Sequence, residues 1–295
     1  MRKIIVKAFA KINLSLNVLR KRADGFHEVD MVMQGISLHD VVEITNALEG
    51  VTLTCNLPEL ETGEENLACR AALLLQKKYL QARGLKIHLH KNIPLAAGLA
   101  GGSSDAAAVL AGVNALYQLG LNQTQLEELG AQIGSDVPFC LNPLTARARG
   151  RGEIIESLPV CPPLSLVLLK PSFGVATGDV YRHLSKVTVQ ERPETQKVIS
   201  ALEKKQRQNL LSALGNVLEY ATFDLHPVLR ELRQEMLDQG ASQVLMSGSG
   251  PTLLGFAPGE TAVKELGASL RQAGREIFIC RTLLPEDLAE RIRRE

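Results

Sequence analysis

Charge of one sign is missing from this 295-residue chain: 33 lysines and arginines meet 32 aspartates and glutamates, a formal net charge of +1. That balance argues against a dedicated nucleic-acid surface or a polybasic membrane patch and favours a small-molecule partner. Cysteine is sparse too. Cys55, Cys69, Cys140, Cys161 and Cys280 are odd in number, scattered and never paired as C-x-x-C. Neither a disulfide framework nor a zinc knuckle is expected, and the five read as small core residues of a reduced protein. No apolar run approaches the length of a membrane span. Arg2 and Lys3 before Ile4-Ile5-Val6, with Ala8-Phe9-Ala10 beyond, imitate a signal peptide, but Lys7 and Lys11 interrupt its apolar core. The expectation is a cytoplasmic protein. Low-complexity segments and internal repeats are lacking as well.

What the chain does have is a run of small residues feeding a helix. Pro94-Leu95-Ala96-Ala97-Gly98-Leu99-Ala100-Gly101-Gly102-Ser103-Ser104 leads straight into Asp105 and the alanine-rich stretch 106–111. Small residues let the backbone approach a ligand, the first N–H groups of a helix lack partners, and the helix dipole adds positive charge. Together these make an anion site suited to polyphosphate. Asp105 at the helix start is compatible with capping. The alternative reading is a plain turn from strand to helix. Two phosphate fingerprints are excluded, since no lysine follows the glycines as in G-x-x-x-x-G-K-[ST] and the spacing is not G-x-G-x-x-G.

The length exceeds a typical single core and predicts two domains, residues 1–158 and 159–295, with Pro159, Pro162 and Pro163 marking the boundary. Residues 4–19 and, past the Asp24-Gly25 turn, the stretch through Met31, Met33 and Ile36 read as strands of a small N-terminal sheet. Thr62 with Glu65 reads as a capping box for a helix over Leu67, Ala71, Leu74 and Leu75 that Gly84 stops. Thr124 with Glu127 reads as a second box, its helix ended by Gly134, which puts Asp136 on a tight connection. Leu85, Ile87 and Leu89 alternate with Lys86, His88 and His90, the period of a half-buried strand whose exposed histidines match no metal site. A buried strand is expected over 164–169, then helices over 177–184, 194–203, 209–220 and 228–239. Strands over 243–246 and 252–256, a helix over 261–273 and a strand over 276–281 follow. The fold class is α+β, with helices over a mostly antiparallel sheet.

Several of these segments, in this order, resemble the motifs of the galactokinase, homoserine kinase, mevalonate kinase and phosphomevalonate kinase superfamily. Ala8-Phe9-Ala10-Lys11-Ile12-Asn13-Leu14 with Asp24-Gly25-Phe26-His27 is similar to its first motif. The loop 94–104 is similar to the second, and Ser247-Gly248-Ser249-Gly250-Pro251-Thr252 to the third. Gly134-Ser135-Asp136-Val137-Pro138-Phe139 resembles the segment that carries the catalytic aspartate. The first and last of these point to the branch of diphosphocytidyl-methylerythritol kinases of non-mevalonate isoprenoid biosynthesis. The resemblance implies two α+β domains with the active site in the cleft between them. It also implies Mg²⁺- and ATP-dependent phosphorylation of a cytidylyl-linked alcohol at its 2-hydroxyl, with residues 1–158 nucleotide-binding and catalytic and 159–295 on the substrate side. Competing readings are a kinase acting on mevalonate or homoserine and a non-catalytic nucleotide- or RNA-binding protein.

The resemblance also implies roles. Asp136 would accept the hydroxyl proton, with Lys11 beside it holding it ionised and orienting the hydroxyl. On the residues alone they read as a turn carboxylate and a solvated strand lysine. Asn13, two residues from Lys11 along a strand, shares its face and would bond the acceptor alcohol or the cytosine edge. Phe26 and His27 would read the base, with Tyr181 or Thr177 as the opposite wall. Lys91 and Asn66 would face phosphate and adenine, and Ser103 and Ser104 would offer hydroxyls to phosphate or Mg²⁺. The segment 247–252 either lies beside the acceptor or only turns between strands. Ala96 and Ala100 stand where many relatives have glycine, and both are expected at negative φ, since positive φ costs an L-residue about 1–2 kcal/mol. Metal ligands and oligomeric state are not legible.

Overall fold

The computed structural model describes residues 2–295. Two long antiparallel strands, β1 (Lys3–Lys21) and β2 (His27–Asn46), form the spine of the first half of the chain. Even-numbered residues of β1 from Ile4 to Val18 are buried. Ile4, Val6, Ala8, Leu16 and Val18 enter one apolar cluster, while Ala10, Ile12 and Leu14 enter a second. Irregular pairing between Phe9 and Lys11 and between Asn13 and Ser15 brackets the middle segment, and such bulges bend and twist a strand. Lys11 and Asn13 are thereby left on the opposite face.

After β3 (Gly50–Cys55) come α1 (Leu67–Lys78), β4 (Gly84–His90), α2 (Gly101–Tyr117), α3 (Gln123–Ala131), α4 (Val137–Leu141), β5 (Thr145–Gly150) and β6 (Ile154–Ser157). Helix α2 is buried at every position from Ser104 to Leu110. Its small residues are what allow that depth: a Cβ on Gly112 would come within 3.0 Å of Val6 and closer still to Ile44. Neither expected capping box forms. Asn66, not Thr62, caps α1, and Asn122 with Gln125, not Thr124 with Glu127, boxes α3. Asparagine outranks threonine at an N-cap, and each asparagine directly precedes its helix. The two helices also end earlier than Gly84 and Gly134, at Lys78 and Ala131.

The second half supplies β7 (Ser165–Pro171), α5 (Thr177–Leu184), α6 (Thr195–Glu203), α7 (Arg207–Ser212), β8 (Gly215–Asn216), α8 (Leu218–Leu225) and α9 (Val228–Asp238). Then follow β9 (Gln243–Met246), β10 (Leu253–Phe256), α10 (Gly259–Ser269), β11 (Arg275–Arg281), α11 (Pro285–Ala289) and β12 (Ile292–Arg294). The helix expected over 209–220 is broken in two by β8, which pairs in parallel with Ser15 and Leu16 of β1. The first sheet is accordingly not small. It has eight strands, ordered β12-β1-β2-β4-β3 with β5, β6 and β8 joined at the side, so two of its strands come from the second half of the chain. The other sheet is antiparallel, ordered β11-β7-β10-β9. Its inner residues Leu166, Leu168, Leu254 and Phe256 share the second apolar cluster with Ile12 and Leu14 of β1, so the two sheets are joined by a common core. All five cysteines are free. Among the described residues no helix is long and apolar enough to cross a membrane.

Candidate active site

A cleft of about 1310 Å³ is lined by Lys11 and Asn13 of β1, the loop before α2, Ser135 and Asp136, Phe26 and His27, Thr177 and Tyr181 of α5, and Gly248 and Ser249. The loop corrects the expectation about its alanines. Ala96, Gly98 and Ala100 have φ of 49°, 73° and 58°, so alternate residues are left-handed. That alternation turns successive N–H groups toward one side and makes an anion-binding nest, which the unpaired N–H groups and dipole of α2 extend. One tertiary bond and the first bond of α2 hold it: Lys11 N–H donates to the Leu99 carbonyl at 3.1 Å and Ser104 N–H to that of Ala100 at 2.9 Å. The torsional cost at Ala100, about 1–2 kcal/mol, exceeds the extra chain entropy that glycine loses on folding, about 0.5–1 kcal/mol. Ala100→Gly is therefore expected to raise stability in urea unfolding by about 0.5 kcal/mol, and a loss of stability would mean that the loop is not strained there.

Lys91 lies beneath this loop. Its ammonium donates to Asp40 and, at 2.6 Å, to Asp105 Oδ2, and it sits 3.3 Å from where a Cβ on Gly101 would be. Asp40 also receives the N–H groups of Asn92 and Ile93. Burial raises the pKa of Asp105 and outweighs the pull of Lys91. For Lys91 burial is the opposing effect, and the two carboxylates overcome it and raise the pKa. Asp105 is thus part of a buried ion cluster bracing the nest and not a cap: the N-cap of α2 is Ala100. Asn66 spends its amide on helix α1, accepting from Ala68 N–H at 2.9 Å and donating to the Glu61 carbonyl at 2.8 Å. Ser103 lines the cleft, whereas Ser104 is turned inward to the Phe9 carbonyl and Cys140.

Lys11 joins three segments. Its Nζ donates to Asn13 Oδ1 at 2.9 Å and to the Gly98 carbonyl at 3.4 Å, and lies 3.6 Å from Asp136 Oδ2. Asp136 is the N-cap residue of α4, but its side chain makes no capping bond, so the carboxylate is free to face the cleft. The segment 247–252 turns between β9 and β10 and also reaches the pair. Ser247 Oγ donates to the Gly98 carbonyl at 3.0 Å, and a Cβ on Gly248 would lie 3.6 Å from Lys11 Nζ. The segment is thus more than a turn between strands: it packs against the nest and Lys11. It is fastened from α8 and the residues before it: Asn216 Nδ2 donates to the carbonyls of Met246 and Gly248 at 2.8 and 2.7 Å, and Glu219 accepts from Met246 N–H at 2.7 Å. Burial pushes the Glu219 carboxyl up to about 7.

At the other end of the cleft the rings of His27 and Tyr181 are 5.0 Å apart. Phe26 is 52% exposed, with the Arg151 guanidinium 4.9 Å above its ring. Partial burial, then Lys21, lowers the His27 pKa, which favours a neutral imidazole with one donor and one acceptor nitrogen. Thr177 Oγ1 lies 2.9 Å from Ser249 Oγ. Among the described residues no three His, Cys, Asp or Glu side chains are grouped to hold a metal ion.

The family profile described as "GHMP kinases N terminal domain" matches residues 66–142, and "GHMP kinases C terminal" matches 184–276. The 4-diphosphocytidyl-2-C-methyl-D-erythritol kinases of Bacillus licheniformis and Bacillus subtilis are 46% and 45% identical to this chain over 282 residues, 95% of it and 97% of each relative. The chain belongs to the 4-diphosphocytidyl-2-C-methyl-D-erythritol kinase family. A crystal structure of 4-(cytidine 5'-diphospho)-2C-methyl-D-erythritol kinase superposes with a TM-score of 0.80 at 36% identity, covering 94% of this chain and 98% of that one. Homoserine kinase from Cytophaga hutchinsonii, at 17% identity and a TM-score of 0.75 over 96% of this chain and 97% of its own, shares the fold alone.

For this ATP-dependent kinase the fold brings Lys11, Asn13, Lys91, Asp136, the loop 94–103, Phe26, His27, Thr177 and Tyr181 around one cleft, without Asn66 and Ser104. Arg151 and Met31 line it as well and were not read from sequence as site residues, whereas Ser249 lines it from the third motif. A signal for Arg151 exists in Arg149-Gly150-Arg151-Gly152, whose two glycines have positive φ and bring a tight turn past Asp136.

Proposed function

We propose that this chain transfers the γ-phosphoryl group of ATP to the 2-hydroxyl of 4-diphosphocytidyl-2-C-methyl-D-erythritol. The observation that carries the reading is the meeting of Lys11, Asp136 and the Gly98 carbonyl at one point, where an anion-binding nest ends beside a carboxylate. In this reading the nest 94–104 and the start of α2 take the triphosphate. Asp136 accepts the hydroxyl proton as the alcohol oxygen bonds to the γ-phosphorus and the bond to the β-phosphate oxygen breaks, releasing ADP. Lys11 offsets charge on the transferring group, and Asn13 holds the acceptor. No covalent phospho-enzyme forms. Phe26, His27 and Tyr181 would seat the cytosine, a base reader that neither mevalonate nor homoserine requires.

Mg²⁺ would arrive with the nucleotide, neutralising phosphate charge, and in this reading the Ser103 hydroxyl, which lines the cleft, would share it. Residues 1–158 would form the nucleotide and catalytic part and 159–295 the substrate side, β8 and β12 returning to the first sheet. The reaction would take place in the cytoplasm, within isoprenoid biosynthesis.

The test is ADP release by purified protein with Mg-ATP, offering the cytidylyl substrate, mevalonate, homoserine or no acceptor. Turnover confined to the cytidylyl substrate is expected. Activity on mevalonate or homoserine would overturn the roles of Phe26 and His27, and ATP binding without any turnover would overturn the kinase reading itself.

A further inference from the structure

Arg291 does not line the cleft and is 6% exposed. Among the described residues its guanidinium has no carboxylate as a hydrogen-bond partner. It donates to three backbone carbonyls: Nη1 to Leu141, Nη2 to Cys140 at 2.8 Å and Nε to Lys7 at 3.3 Å. Burying a cation without an opposite charge costs several kcal/mol, so stability alone gives no reason for an arginine here. Its partners supply one. Cys140 and Leu141 end α4, a helix of five residues whose N-cap is Asp136. The last carbonyls of a helix have no partner in the helix, and a cation there also satisfies the dipole. Lys7 belongs to β1, four residues before Lys11, and its N–H in turn donates to the Arg291 carbonyl at 2.9 Å.

We infer that Arg291 is a positioning residue: it braces the strand that carries Lys11 against the far end of the helix that carries Asp136, and so sets the distance between the two. The inference rests on the reading of Asp136 as the base. The single turn is tied end to end by one bond, the Asp136 carbonyl accepting the Cys140 N–H at 3.1 Å, so a displacement at Cys140 is carried to Asp136. Burial lowers the Arg291 pKa only to about 10, so the brace stays charged throughout the neutral range.

The test uses the full chain with Arg291→Lys and Arg291→Gln, each alone and combined with Asp136→Asn, and Arg293→Ala as an exposed neighbouring control. Folded fraction is followed by circular dichroism. For the folded enzyme Arg291→Lys is expected to lower kcat about tenfold or more, and Arg291→Gln further, while KM for ATP and for the acceptor stays within about twofold. Arg293→Ala keeps full activity. Because the brace acts through Asp136, adding Arg291→Lys to Asp136→Asn lowers kcat by less than about twofold more. Full kcat in Arg291→Lys, a loss that tracks the unfolded fraction, a rise in KM in its place, or a full multiplicative loss in the double variant would each overturn the inference. Full kcat in Asp136→Asn alone would instead overturn the base reading, and the kcat–KM split of the Arg291 variants would then report on the Lys11 side of the brace alone.

Discussion

Replacing Asp136 with asparagine is expected to lower kcat by about 10²–10⁴-fold, the range lost with a general base, while ATP binding persists. The substitution keeps the size of the side chain and an acceptor oxygen but removes the group that takes the proton. Little else depends on it. The Asp136 side chain caps nothing, and its recorded partner is Lys11 at 3.6 Å. Lys11 retains Asn13 and the Gly98 carbonyl when that contact weakens, so the nest keeps its shape and its affinity for triphosphate. Calorimetric titration with ATP and single-turnover ADP formation separate the two effects. An unchanged kcat would remove Asp136 from the base role and leave a Lys11-assisted path through water.

Local chemistry was legible in the sequence, and pairing between distant segments was not. The alternation that places Lys11 and Asn13 on one face of β1 is a period-two pattern within a few residues, and the structure keeps it. Likewise 243–246 reads as a strand from its own residues and is β9. Strand β8, by contrast, is two residues held in place by Ser15 and Leu16, and a pairing that short leaves no periodicity to read. The neighbouring helical residues therefore pulled the reading into one long helix over 209–220.

The site divides the same way. The glycine-rich loop announced an anion site, but a rule about single residues misjudged its alanines, because bonds from Lys11 and Ser104 enforce a backbone that the residues alone disfavour. Lys91 is expected to face phosphate from its position just before the loop, and it does line the cleft, but its buried ion pairs were not legible. Its partners Asp40 and Asp105 lie 51 and 14 residues away, and nothing local to Lys91 announces them. Arg291 is separated from the carbonyls of α4 by about half the chain, and nothing in the charged residues around it announces that contact.

Gly98→Ala is expected to lower kcat/KM for ATP by about 10²-fold or more, the scale on which catalysis responds to a misplacement of about 1 Å. Torsion is the smaller part of the reason. Ala96 and Ala100 carry side chains at positive φ in the same loop, so about 1–2 kcal/mol of strain is tolerated there. At Gly98 the added Cβ would also collide with the Ser247 carbonyl oxygen and come within 3.1 Å of that of Gly250. Both obstacles are backbone, and Asn216 and Glu219 fasten the segment that bears them. The nest must then move away from that segment. As it moves, the Gly98 carbonyl leaves both Lys11 Nζ and Ser247 Oγ, so the lysine loses the contact that ties it to the phosphate loop. Affinity for ATP and kcat are therefore expected to fall together, unlike in Asp136→Asn, where only kcat falls. A Gly98→Ala enzyme with kcat/KM within about threefold of the parent would show that the two loops are not interlocked and that the nest tolerates displacement far better than positional catalysis requires.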